Sequence, residues 1–471
     1  MTAPAGAAGH GAPARPQAWP RLPGRVAHFV ADAGYAALGA LLLPWAFGRT
    51  VANPKARARW TAYLRDVPAR FGRRAPRRST GPCVWVHGVS VGEVKAAARL
   101  VERIEQRVPG IEVVVTATTD TGYRVARERY PGHRVEFYPP DVSWIVRDAL
   151  DRLRPDLVVL VESEFWPNFL TAVSHRGIPT VLVNGRISER SASRFRRGGR
   201  LTRGLLSAIA RFCVQLPVHA DRFTSLGLPA DHVVVTGNLK FDNVPILADR
   251  RRSDAYANLL GVTDGRPLFV AGSTHPPEER WMGQVVRRVR AGGVPLRAVV
   301  APRHPARADA VEADLRREGV DVVRRSRLVE GGAKASGDAV VLLDTVGELE
   351  AVYALADVVY VGGSLVRHGG QNVMEPASVG KPILVGPHTW NFRGEVDLLA
   401  ASGALEVVSD VDALVAGVLR ALGDPAAARA RGERGREAIL ESKGATERTL
   451  AALEPWLAPL AARAPGAGVS S

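Results

Sequence analysis

From Cys83 onward the chain alternates between short β-branched apolar runs and helix-length segments, and that alternation constrains its fold more than any other feature. The first series of runs is Cys83–His87, Ile111–Ala117, Arg134–Tyr138, Leu157–Val161, Thr180–Asn184 and Arg211–Gln215, with helices expected over Glu93–Arg107 and Thr121–Arg129. A second series begins at Leu268–Ala271 and continues through Leu296–Val300, Val320–Arg324, Val340–Leu343, Val358–Val361 and Ile383–Val385. Runs this short and this apolar are typical of parallel strands covered on both faces by crossover helices. Two such series, separated by the polar stretch Asp242–Asp254, predict two doubly wound α/β domains with a cleft between them. A chain of 471 residues is long enough for each domain to bury its own core. The helical stretch Ala426–Leu460 could cross back onto the first domain, and the tail after Ala461 reads as disordered.

Composition narrows the function classes. Hydrophobic residues at 46% and charged residues at 23% exclude a multi-spanning or wholly disordered chain. Cys83 and Cys213 both lie in apolar runs, which favours core strands over a disulfide and fits a reducing compartment. The net charge of +16 calls for an anionic partner, either nucleic acid, phospholipid or a phosphorylated substrate, unless it only records drift toward Ala, Gly, Arg and Val. A nucleic-acid binder would interleave aromatics with its arginines. Here aromatics are only 6%, and the basic residues concentrate near the N-terminus. Six of the 63 basic residues are lysines, so a retained lysine such as Lys240 hints that its ammonium is used.

The N-terminal region has its own character. Residues 1–25 are rich in Ala, Gly and Pro, carry no acid and read as a disordered leader. Val26–Phe47 is apolar and barely reaches the roughly 20 residues that a bilayer span needs; His28, Asp32 and Pro44 interrupt it. No small-residue cleavage site follows cleanly. Between Arg49 and Arg78 there are ten basic residues against the single acid Asp66. An apolar helix beside such a segment predicts a monotopic or single membrane anchor, with the rest of the chain cytoplasmic. The other reading is a helix of the soluble core.

The motifs that carry chemistry fall at the ends of apolar runs. His87-Gly88-Val89-Ser90-Val91-Gly92-Glu93 joins a strand to a helix, and Glu93 either compensates the helix dipole or serves as a general base. Thr116–Gly122 is a hydroxyl-rich turn that either caps a helix or holds a phosphate or sugar. Glu162 and Glu164 close a wholly apolar strand, where unpaired charge is costly, and Phe165-Trp166-Pro167 reads as a rigid sugar-facing loop. Lys240 falls at the expected domain junction, as a cleft lysine or an exposed hinge residue. In the second series Gly272–His275, Pro302–Pro305 and Gly362–Ser364 close strands, and Gly369–Pro376 opens a helix. Glycines before a helix start offer backbone N–H groups to a phosphate, and Glu375 could accept hydrogen bonds from a ribose diol. The sequence shows no cysteine pair or His-x-x-x-His spacing for a metal and no P-loop.

Taken together with Asn184–Ser188, Gly237–Asp242, Asp344–Leu349 and Gly386–Phe392, these motifs resemble the 3-deoxy-D-manno-octulosonic acid (Kdo) transferases, in order, over about residues 26–455. The resemblance implies a GT-B fold, two Rossmann-like domains facing across a cleft, with an N-terminal membrane-anchor helix. It divides the chain into a leader (1–25), an anchor and basic segment (26–78), an acceptor domain (79–240), a donor domain (241–440), a returning helix (441–462) and a tail (463–471). It implies inverting, metal-independent transfer of Kdo from CMP-Kdo to a lipid A precursor, lipid IVA, on the cytoplasmic face of the Gram-negative inner membrane, without a cofactor. By position Glu93 matches the general base, and Glu162 and Lys240 the transition-state stabilisers. Ser273, His275, Pro302, Arg303, Gly347, Glu348, Gly363, Ser364, Asn372, Val373, Met374 and Glu375 fall on the CMP-Kdo loops. Ser90, Gly92, Thr118, Glu164 and Arg186 fall on the acceptor side. A UDP-sugar enzyme such as a lipid-A-disaccharide synthase or an epimerase is the competing expectation.

Overall fold

The computed structural model describes residues 28–37, 40, 70, 75–244, 250–328 and 338–463. The expected leader, most of the anchor and basic segment, and the tail from residue 464 lie outside the described residues. Among the described residues no helix is long and apolar enough to cross a membrane, so a spanning anchor has no counterpart there. The chain divides into two compact units, Met1–Asn243 with Lys443–Ser471, and Val244–Ser442.

The first unit is built on seven parallel strands: β1 Cys83–Gly88, β2 Glu112–Ala117, β3 Arg134–Phe137, β4 Leu157–Val161, β5 Thr180–Gly185, β6 Arg211–Val214 and β7 Val233–Val235. Their order is β3-β2-β1-β4-β5-β6-β7. Strand alternation divides the core: Val84 and Val86 of β1 face one apolar layer, while Cys83 and Trp85 face the other. The first layer is completed from far along the chain. Leu453, Leu457 and Leu460 of the helix Ala445–Arg463 pack among Leu100, Val101 and Ile104 of the helix Ala98–Arg107. Both cysteines are free and buried in strands.

The second unit repeats the plan with β8 Leu268–Thr274, β9 Arg297–Pro302, β10 Val322–Arg324, β11 Val340–Leu342, β12 Val358–Val361, β13 Ile383–Val385 and β14 Leu405–Val407, ordered β10-β11-β9-β8-β12-β13-β14. In each sheet the strand order reverses once, between β1 and β4 and between β8 and β12. Ligands of open α/β sheets collect beyond the carboxyl ends of strands at such points.

Several local expectations need correction. The helix expected over Glu93–Arg107 is two, Val91–Ala96 and Ala98–Arg107. The Asn243 side chain donates to the carbonyls of Lys95 and Ala96, 3.3 and 3.1 Å away, and so terminates the first helix. The stretch Ala426–Leu460 is also two helices, Pro425–Glu441 and Ala445–Arg463, parted at Gly444, whose φ of +86° suits glycine. Pro167 opens a helix, and the half-buried Phe165 and Trp166 before it pack on the core, which anchors the short loop between β4 and that helix.

Candidate active site

The reversal point of the first sheet gathers the acids singled out in the sequence. Glu93 lies in the first turn of the helix that follows β1. Its carboxylate accepts from the Val89 N–H at 2.5 Å and from the Ser90 hydroxyl at 3.0 Å. A Cβ on Gly88 would sit 3.1 Å from the Glu93 side chain and from the Val94 nitrogen, which explains a glycine where strand turns into helix. Burial, joined by the nearby Glu162 charge, raises the Glu93 pKa despite those hydrogen bonds. An acid so placed holds a proton more readily than a solvated glutamate.

Glu162 follows β4 with a φ of +70°, a left-handed backbone that few non-glycine residues adopt. Its buried carboxylate is bracketed by cations, with Arg186 Nη2 2.7 Å from one oxygen and Lys240 Nζ 3.5 Å from the other. Lys240 is steered there from β5. Asn184, itself at φ +53°, accepts the Leu239 N–H at 3.0 Å and so seats the short helix Leu239–Asp242, whose N-cap is Asn238. Glu164 accepts from the Trp166 indole at 2.6 Å. Burial, with Glu93 and Glu162 nearby, pushes its pKa up to about 7. His87 lies with Nε2 3.8 Å from Glu164 but is pushed down to about 3 by full burial, so the contact is not an ion pair. His87 stacks on Tyr138 at 3.8 Å and belongs to the core. Ser90 and Arg186 thus meet the acids directly, and Gly92 is exposed in the Glu93 helix. Thr118 lends its backbone carbonyl to Arg70, and Thr119 caps the helix Asp120–Arg129, so the hydroxyl-rich turn does act as a cap.

In the second unit the glycine loops converge on a buried carboxylate that the sequence reading missed. Glu278 accepts the N–H groups of His275, Gly363, Ser364 and Leu365 at 2.7–3.1 Å and the Tyr360 hydroxyl at 2.7 Å. This one side chain fixes the ends of β8 and β12. The packing leaves no room for side chains: a Cβ on Gly362 would lie 2.6 Å from the Thr274 Cα, and one on Gly386 2.2 Å from the Ser364 carbonyl oxygen. Ser273 bulges out of β8 at φ +55°. Pro302 ends β9, and Arg303 beyond it is exposed. Glu348 is held by Arg325 at 3.0 Å and by the Thr345 hydroxyl at 2.6 Å, beside Gly347 at φ +85°. Asn372 donates to Glu375 at 2.9 Å and accepts from the Met374 N–H at 3.1 Å, with Val373 buried between them. Among the described residues no group of His, Cys, Asp and Glu could hold a metal ion.

A family model described as 3-deoxy-D-manno-octulosonic-acid transferase (kdotransferase) matches residues 65–243. A 3-deoxy-D-manno-octulosonic acid transferase of Bordetella pertussis is 38% identical to this chain, over 83% of it and 92% of the relative. Its counterpart in Haemophilus influenzae is 32% identical over 79% and 87% of the two chains. The chain belongs to the Kdo transferase family. It is therefore a glycosyltransferase, and its reaction belongs to lipopolysaccharide biosynthesis. A UDP-N-acetylglucosamine 2-epimerase structure, 14% identical, covers 80% of this Kdo transferase and 96% of its own chain with a TM-score of 0.53, a likeness of GT-B fold alone.

Asn184, Glu278 and Glu279 were not picked out as site residues of this Kdo transferase in the sequence. The Asn184 position sits within the matched segment Asn184–Ser188, and paired acids after His-Pro-Pro were a visible anomaly beside an apolar strand. Both acids are fully buried.

Proposed function

We propose that this Kdo transferase moves Kdo from CMP-Kdo to lipid IVA, with inversion at the anomeric carbon and without a metal, on the cytoplasmic face of the inner membrane. The observation that carries this reading is Glu93: a carboxylate with a raised pKa, oriented by the Val89 N–H and the Ser90 hydroxyl at the sheet's reversal point. Such a group suits removal of a proton from a primary hydroxyl as that oxygen bonds to the anomeric carbon; general base help of this kind is typically worth ~10²–10⁴-fold. As the new bond forms, the bond from the anomeric carbon to the phosphate oxygen breaks, and its electron pair leaves with CMP. Lys240 and Arg303 are the cations assigned to that growing charge, so no metal is required. CMP is assigned to the loops around Ser273, Pro302, Gly363 and Asn372.

The membrane assignment draws on the helical residues 28–37. Their polar members face the first unit: Tyr35 donates to Asp141 at 2.7 Å, Asp32 accepts from Asn168 at 2.7 Å and from the Ser143 N–H at 3.1 Å, and His28 Nδ1 lies 2.7 Å from Asn168 Oδ1. Two of the residues that interrupt the apolar stretch, His28 and Asp32, are thus attachment points, while Phe29, Val30 and the neighbouring Trp144 are exposed. An outward apolar face and the basic helix Glu189–Arg197 both suit an anionic lipid surface.

Mass spectrometry of lipid IVA incubated with the protein and CMP-Kdo tests the whole reading, with an added mass of one or more Kdo residues expected and undiminished in EDTA. CMP should raise the melting temperature and UDP should not; a ligand at 100 times its Kd adds about 2.7 kcal/mol. The reverse preference would move the chain to a UDP-sugar reaction.

A further inference from the structure

Three imidazoles meet beyond β8, β9 and β12. The His275 ring stacks on His368 with centroids 3.7 Å apart, and it meets His304 edge-on at 5.9 Å. His275 is buried, while His304, His368 and the adjacent Arg303 are exposed. Neither the glycine loops nor the matched motifs give His304 or His368 a task.

The charged groups around the stack are unbalanced. From the segment after β9 come Arg303, His304 and Arg307, and from the segment after β12 comes His368. From the helix Glu278–Ala291 come two acids, and both are engaged. Glu278 takes the five donors described above, and Glu279 accepts from Arg307 at 2.7 Å and from the Thr274 hydroxyl at 3.3 Å. Gln371 Nε2 lies 3.1 Å from His275 Nε2, a neutral neighbour that adds no negative charge. Burial, then His368, His304, Arg303 and Arg307, holds His275 down at about 4. A buried imidazole crowded with cations holds its proton less readily, and an anion placed beside it favours protonation.

We propose that His275, His304 and His368 form a proton-coupled anion subsite, in which the imidazole stack gains a proton from solvent when an anionic group of the sugar donor docks on it. The inference rests on the CMP-Kdo reading and adds to it two residues and a linkage between donor affinity and pH. The docking group is either the nucleotide phosphate or the carboxylate of the sugar acid, which the stack would recognise by the same chemistry.

Isothermal titration of the full chain at pH 7.5, in buffers of different ionisation enthalpy, counts protons exchanged per ligand bound. At that pH the phosphate of CMP, with a second pKa near about 6, is already ionised. The expected result is net uptake with CMP, with free Kdo, or with both, which also identifies the anion. The double variant His304→Gln/His368→Gln should keep its melting temperature, lose the uptake and bind that ligand about tenfold more weakly, a loss of about 1.4 kcal/mol. Binding without uptake in the unaltered protein, or uptake that survives in the variant, overturns the subsite while leaving the donor reading in place. Binding of UDP but not of CMP overturns the donor reading and the subsite with it.

Discussion

Glu93, Glu162 and Glu164 share one strand-end site and hold different charge environments there. Glu93 is oriented by a backbone N–H and a hydroxyl, Glu162 is clamped by two cations, and Glu164 has an indole N–H. Replacing Glu93 with Gln keeps its size and removes its basicity. Transfer should fall by ~10²–10⁴-fold, while CMP still stabilises the protein; full activity would remove Glu93 from the chemistry. Glu164 makes a second, pH-dependent prediction. Its pKa is raised, to about 7, so between the unfolded value and pH 7 the native state binds the proton more tightly than the unfolded chain does. Stability therefore falls as pH rises through that window, by up to about 3 kcal/mol for this group. In Glu164→Gln the drop in melting temperature between pH 5 and pH 8 should shrink, and an unchanged drop would contradict the assignment. At this scale the sequence displayed the acids, because charge at the end of an apolar strand stands out. It did not display their partners: the contacts of Glu162 with Lys240 and Arg186 join three segments far apart in sequence, and only the folded sheet brings them together.

Elements in this protein are positioned by side chains distant in sequence. Glu278 ties the turn after β8 to the turn after β12 through five donors. Glu278→Ala would leave those donors unpaired in the interior, where each buried group costs about 1–3 kcal/mol. The melting temperature should fall, and in the folded fraction the KM for CMP-Kdo should rise more than kcat drops. A variant with normal donor KM would show that the loops hold their shape without it. Long-range control of this kind also explains which elements were legible. Leu157–Val161, Val358–Val361 and Ile383–Val385 coincide with strands because they are buried and apolar throughout. The strands β7 and β14 went unread: each is only three residues long at a sheet edge and partly exposed, and Glu406 interrupts β14, whereas Val233-Val234-Val235 of β7 is an apolar run too short to stand out. The break after Ala96 is set by Asn243, and no local signal at Ala97 announces it.

At the scale of the whole molecule, the two-unit parallel α/β plan was legible because each series of apolar runs carries its own sheet. His28 and Asp32 read as interruptions of the apolar stretch, since nothing in the sequence shows that Asn168 and Ser143 receive them. A separate prediction concerns the helix Ala445–Arg463. Leu457→Ala should destabilise the first unit by about 2–5 kcal/mol, visible as an earlier unfolding step in calorimetry, while the step of the second unit stays put. A single transition shifted as one would show that the units unfold together.

The same helix has a consequence for biosynthesis. The segment that closes one apolar layer of the first unit emerges from the ribosome only after all of Val244–Ser442 has been made. Chains grow at about 5–20 residues per second, so this half waits many seconds with an unsealed layer while the uninterrupted second unit can already compact. A released chain truncated after Ser442 should therefore resist protease across the later-made unit and be cut in the earlier-made one. In this protein the first half to be synthesised is the last to become whole.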